Sequence, residues 1–246
     1  MKLYLAGSGW IFLWDNKKFY NFNRLESFGY IDKKEFPLIK LYNNFILDSG
    51  AFTYLNNSKE SIDWEKYIDS YANFIVKYNV DKFIELDIDS VVGLKEVERL
   101  RNQLEKKVGR KCMPVWHKSR GKDNWIKTVK EYDYVAIGGI VTKEIKSTEY
   151  NHFHYLIKIA HENNCKVHGL GFTNLKGLKE YNFDSVDSTS WLSGNRFGSI
   201  YKFNGETMLK FDKKLGQRVI THKTAMNNFE EWVKFANYME KNDIIR

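Results

Sequence analysis

The chain has 246 residues, 43% of them apolar and 28% charged, proportions that exclude a disordered polymer and allow one large core. Its two cysteines, Cys112 and Cys165, lie far apart without a CxxC partner, which argues against a disulfide framework or a Cys-rich zinc centre. A formal charge of +8, from 39 Lys and Arg against 31 acids, suits a polyanionic partner without demanding one.

In chain order, short apolar runs alternate with longer amphipathic ones. The predicted strands are KLYLAG (2–7), NFILDSG (44–50), KFIELDID (82–89), CMPVWH (112–117), YVAIGG (134–139), KVHGLGF (166–172) and SVDST (185–189), each short and bounded by turn residues. Predicted helices fill the gaps at 61–78, 93–108, 124–132, 149–164 and 174–181. The first opens on Ser61 as a cap, with Trp64 and Glu65 after it in place of a full capping box. Two prolines, Pro37 and Pro114, and no low-complexity tract leave no linker, so residues 1–246 read as a single domain. The N-terminal stretch MKLYLAGSGWIFLW lacks a charged-then-apolar signal with a cleavage site, and no apolar run reaches membrane-spanning length. A cytoplasmic protein with no membrane partner is expected.

Strand–helix alternation implies parallel strands covered on both faces. A doubly wound sheet would want a glycine-rich turn and a helix after the first strand, but AGSGW (6–10) has only Gly7 and Gly9 and no helical run behind it. Six strands instead end in residues of chemical use: Asp48, Asp87 with Asp89, His117, Gly138 with Gly139, Gly169 with Gly171, and Asp187. A (β/α)8 TIM-type barrel of about 250 residues brings such ends to one mouth, and that α/β architecture is the expectation. A lone aspartate after a strand is commonly a turn or cap residue. Three together, beside glycines that let a ligand approach the backbone, point to acid/base or covalent chemistry. A metal centre of this kind would want more histidines than His117 and His168, and His152 and His154 face different directions at the head of a helix. No metal and no cofactor are expected.

The motifs LDSGAF (47–52), LDID (86–89), IGGI (137–140), HGLGF (168–172) and FDSVDS (183–188) resemble, in order and spacing over about residues 44 to 190, those of the tRNA-guanine transglycosylases. Those enzymes are (β/α)8 barrels that exchange guanine for a 7-deazaguanine. The resemblance implies Asp187 as the nucleophile that forms a covalent glycosyl-aspartate, with retention of configuration. It implies Asp48 as general acid/base and Asp87 as the reader of the guanine N1 and exocyclic amine. Gly138 and Gly139 would contact the base through their backbone, Phe52 and His168 would sandwich it, and His117 stands near the family's base-binding glutamine. Asp184 competes with Asp187 for the nucleophile, and Asp187 is preferred because it follows Val186 at the strand end.

Departures accompany the matches. No cysteine follows Cys165, so the zinc-binding element of the tRNA enzymes is missing; Ala51 and Thr53 replace a glycine and a glutamine, and STSW replaces the Pro-Thr-Arg after the nucleophile. The chain is also compact. These features are similar to the DpdA-type enzymes of phages and bacteria, which place 7-deazaguanines in DNA. The implied function is a DNA guanine transglycosylase acting on DNA and a free 7-deazaguanine base such as 7-cyano-7-deazaguanine, in a host cytoplasm if phage-encoded. A flipped or single-stranded guanine would be required. Two basic segments, 118–130 and 210–223, are expected to hold the backbone through Lys118, Arg120, Lys122, Lys213, Lys214 and Arg218, with Trp125 supporting the displaced strand. Solvated surface is the plainer reading of such runs. The alternatives left open are a tRNA transglycosylase, a noncatalytic nucleic-acid-binding barrel and a retaining glycoside hydrolase.

Overall fold

Each strand of the central sheet places one row of side chains inward and the next outward, and the sequence of the first strand shows how. In β1 (Lys2–Ala6), Leu3 and Leu5 join the large core under the helices, whereas Tyr4 and Ala6 join a second cluster with Leu25, Ile46, Ile84, Met113, Val115 and Ala136. That two-sided burial follows from the period of two along a strand and gives the near-continuous apolar runs seen in the sequence. The computed structural model describes residues 1–7, 21–51, 62–193, 197–214, 216, 218 and 220–243. Phe52, Ser61 and most of the AGSGW turn lie outside the described residues.

Eight strands form one sheet: β1, β2 (Asn23–Ser27), β3 (Asn44–Asp48), β4 (Lys82–Phe83), β5 (Val115–Trp116), β6 (Tyr134–Ile137), β7 (Lys166–Gly169) and β8 (Ser185–Ser188). Their spatial order is β4-β3-β2-β1-β8-β7-β6-β5, and every ladder is parallel. The sheet curls until its two ends touch at one isolated parallel bridge, Ile84 with Met113. Met113 N donates to Phe83 O at 2.8 Å and Glu85 N donates to Met113 O at 3.0 Å. The architecture is therefore α/β with a curled, barrel-like parallel sheet whose end strands meet at a single point.

The layer outside the sheet is helical: α1 (Trp64–Tyr78), α2 (Asp89–Val92), α3 (Leu94–Val108), α4 (Gly121–Glu131), α5 (His152–Glu162) and α6 (Gly177–Glu180). In α1 the buried side chains Ile68, Tyr71, Ala72 and Ile75 recur at helical spacing. Asp63, not Ser61, caps it, accepting from Lys66 N, and Asn79 ends it in the left-handed conformation at φ 49°. Tyr71 Oη lies 2.9 Å from Leu47 O and 3.0 Å from Ile84 O, tying the helix to two strands at once.

Three elements escape a reading by apolar pattern. Strand β2 is NRLES, and its charges are buried: Arg24 Nε donates to Glu35 Oε1 at 2.8 Å, Nη2 pairs with Glu26, and Nη1 donates to Leu5 O at 3.2 Å. A hairpin of β9 (Ile200–Phe203) and β10 (Met208–Phe211) follows the barrel strands, and then α7 (Thr221–Asp243). Helix α7 buries Phe229 and Trp232; Phe229 packs edge-on against Phe22 and Trp191 at 5.0 and 5.4 Å between centroids. Trp191 Nε1 in turn donates to Ala6 O at 2.8 Å. Among the described residues, no helix is long and apolar enough to cross a membrane. Cys112 and Cys165 are both free and buried.

Candidate active site

Because the strands are parallel, their C-terminal ends share one side, and there the structure holds a cavity of about 980 Å³. Asp48 from the end of β3, Asp87 and Asp89 after β4, His117 after β5, Gly138 and Gly139 after β6, and Asp187 from β8 all line it. Three strand-end aspartates that are distant in sequence thus face one volume, the arrangement expected of a barrel-like sheet.

Asp48 is the last residue of its strand. Gly50 N donates to its Oδ2 at 3.0 Å, an Asx-type turn that swings the chain away from the cavity. Gly50 holds φ +70°, and a Cβ there would collide with Ser27 Oγ, so only glycine makes this turn. Burial, together with the negative charges of Asp87 and Asp187, pushes the Asp48 carboxyl from 3.8 up to about 7. A carboxyl poised there can both donate and accept a proton near neutrality.

Asp187 is fixed from the other side. Gly171 N donates to Asp187 Oδ1 at 2.6 Å, and His168 Nε2 stands 3.3 Å from the same oxygen. A carboxylate only accepts, so this contact assigns the Nε2–H tautomer to His168. Its Nδ1 then accepts from Ser185 Oγ at 2.5 Å, and Ser185 Oγ is 2.5 Å from Tyr134 Oη. A chain of hydroxyl, hydroxyl and imidazole therefore orients Oδ1 of a carboxylate that lines the cavity.

Across the cavity, His117 Nε2 contacts Asp87 Oδ1 at 2.6 Å, and Nδ1 contacts Glu144 Oε2 at 2.9 Å. Burial opposes a charge on this ring, but the hydrogen bonds and charges of Asp87, Asp89 and Glu144 outweigh it and raise His117 to about 9. His117 is therefore an imidazolium at neutral pH. Gly138 makes room for it, since a Cβ there would lie 2.8 Å from the ring. Ligand atoms of Asp87, Asp89 and His117 lie within 4.8 Å of one another, so among the described residues this trio could hold a divalent cation, in competition with the proton on His117.

Asp89 is partly withdrawn from the cavity by an ion-pair network. Arg120 Nε donates to Asp89 Oδ2 at 2.8 Å and its Nη1 to Glu85 Oε1 at 3.2 Å. Glu85 is fully buried, accepts from Val115 N at 2.7 Å and pairs with Arg101 at 3.1 Å.

Several expectations need correction. Arg120 is 4% exposed and occupied by Glu85 and Asp89, so it stabilises the wall and cannot reach a nucleic-acid backbone. Trp125 is completely buried, donating to Leu156 O at 3.1 Å, and cannot support a strand. His168 is likewise completely buried and does not line the cavity, so it cannot be one face of a base sandwich; it positions Asp187 instead. Phe52, the other proposed face, lies outside the described residues. Lys118 is exposed and pairs with Glu149 at 2.5 Å, while Lys122 lies over the Tyr155 ring at 4.9 Å. Lys213, Lys214 and Arg218 are exposed. Asp184 sits at the opposite end of β8 from the cavity, with His161 at 2.9 Å and Val167 N at 2.8 Å, which removes it as a rival to Asp187.

Glu144 and the Glu85–Arg120 pair have no signal in the sequence: they are charges among many, and only the fold turns them inward. No protein-family model matches the chain, and no curated protein matches it.

Proposed function

We propose that this protein exchanges guanine in DNA for a 7-deazaguanine base through a covalent glycosyl-aspartate, on a (β/α)8 barrel of the transglycosylase type. The observation that carries the reading is the division of labour between two carboxylates on one cavity: Asp187 is held by fixed donors, and Asp48 is poised to hold a proton near pH 7. Two carboxyl groups with separated tasks are what double displacement at an anomeric carbon requires.

Asp187 attacks C1′ of the target nucleoside, and the C1′–N9 electron pair leaves with the purine. Asp48 delivers its proton to the departing base. The incoming deazaguanine returns a proton to Asp48 as its nitrogen displaces the Asp187 carboxylate, so configuration is retained. Base selection follows from the opposite wall. Guanine presents two N–H groups beside the O6 acceptor, and Asp87 beside the His117 imidazolium presents an acceptor next to a donor. Adenine, with an acceptor at N1 and an amine at C6, inverts that pattern. The 2.6 Å contact between Asp87 and His117 opens as the base enters. Gly138 and Gly139 line the same wall, and the space a side chain on them would take is filled by His117 and Glu144, so these glycines let the reading groups pack against the backbone beside the base.

The decisive experiment incubates the protein with radiolabelled guanine or 7-cyano-7-deazaguanine and single-stranded DNA, duplex DNA or tRNA. Incorporation into DNA is expected, with Asp187→Ala lowering it by at least about 10³-fold, the scale of losing a nucleophile. Incorporation into tRNA alone would replace the DNA reading, and none into any polymer would refute base exchange.

A further inference from the structure

The β9–β10 hairpin has two faces of different character. Its register pairs Ile200 with Phe211, Tyr201 with Lys210, Lys202 with Leu209, and Phe203 with Met208, so alternate pairs share a side. Tyr201, Phe203 and Met208 turn toward α7, where Tyr201 packs on Trp232 at 5.4 Å and Phe203 on Phe235 at 5.8 Å. The other side carries Ile200, Phe211, Leu209 and Lys202, all exposed, with Phe211 at 52%. An exposed aromatic and two exposed aliphatic groups around a lysine need an explanation that packing does not supply.

We infer that this outer face is a platform for a single-stranded DNA segment flanking the nucleotide in the cavity, a base stacking on Phe211 and phosphates meeting Lys202 and the basic run after β10. The inference rests on the base-exchange reading for its substrate but on separate residues for its support. Charge favours a polyanion: among the described residues from 197 to 223, six are Lys or Arg and two are Asp or Glu. Both acids are already engaged, Glu206 by Lys179 at 3.1 Å and Asp212 by Lys210 at 2.9 Å. Size disfavours a second copy of the chain. Two four-residue strands span about 14 Å by about 10 Å, far below the roughly 800 Å² per partner of a stable dimer, but matched to one or two bases. Position also fits. Leu192 lines the cavity, and Ile200 follows it by eight residues, at most about 29 Å of extended chain.

The test measures binding of the full-length protein to fluorescent oligothymidylate of about 16 nucleotides, which contains no guanine and so reports the platform without chemistry. Phe211→Ala should weaken binding about 5- to 150-fold, the loss of one stacked base, and Lys202→Ala should lower the slope of log affinity against log salt by about 0.7. Phe211→Trp guards against misfolding: it should keep the affinity, and the fluorescence of the added indole should be quenched by the oligonucleotide. Affinity unchanged in Phe211→Ala, or indole fluorescence in Phe211→Trp that the oligonucleotide leaves unquenched, overturns the platform. So does a shift of Phe211→Ala from dimer to monomer in sedimentation, which would make the face a self-contact. Failure of base exchange by the unaltered protein, with hairpin-dependent binding intact, would instead remove the proposed reaction and leave the platform standing.

Discussion

Asp48 binds its proton more tightly in the fold than in the unfolded chain, because burial and the neighbouring carboxylates raise it from 3.8 to about 7. By linkage, the stability associated with that proton is fully present below about pH 4 and is lost as pH rises through about 7. Asp48→Asn, which never ionises, should therefore be more stable than the native protein above pH 7, by up to about 4 kcal/mol, with the difference vanishing toward about pH 4. Urea unfolding across that range measures it. The same substitution should abolish base exchange, so one residue gains stability as function is lost, a common pattern at sites that hold charges together. Asp48, Asp87 and Asp187 were legible in the sequence because each closes or follows a short apolar run, and a strand end is a place that pattern alone can find. His168 was not. The same motif that places it on a strand cannot say which way its ring turns, and the hydroxyls of Ser185 and Tyr134 turn it into the wall.

At the scale of elements, the helices with a clear apolar stripe, α1 and α3 above all, fall where periodicity puts them to within about three residues. Strand β2 was hidden because a pattern of apolar residues cannot represent a strand whose outward side chains are charged and paired. Helix α7 had a usable signal, Ala225, Phe229, Trp232, Ala236 and Met239 at helical spacing, that the basic residues of 210–223 just ahead of it obscured. The Glu85–Arg120–Asp89 network makes a sharper prediction. Removing the guanidinium leaves two carboxylates without it, one of them fully buried, so Arg120→Met should cost about 3–5 kcal/mol. Thermal unfolding reads the loss, and a cost under about 1 kcal/mol would show that Arg101 alone suffices for Glu85. Reduced nucleic-acid affinity without loss of stability would restore Arg120 to the surface role that its position among basic residues suggests.

Over the whole molecule, the sheet joins cooperating carboxylates that the chain supplies in pieces, and it does so with uneven strength. Strands β2 and β3 pair over five residues, whereas β4 and β5 meet through the single Ile84–Met113 bridge. Where backbone partners run out, Glu85 supplies the acceptor for Val115 N, so a side chain completes what a ladder would otherwise do. Asp87, Asp89 and His117 all emerge from this thin stretch of wall, while Asp48 and Asp187 stand on fuller ladders. Native-state deuterium labelling should accordingly find the amides of Glu85 and Val115 trading with solvent sooner than those of Leu5 and Leu47. Such a curled sheet would breathe along one slit, and under the proposed base exchange it would yield on the half assigned to the purines and stay rigid on the half assigned to the sugar.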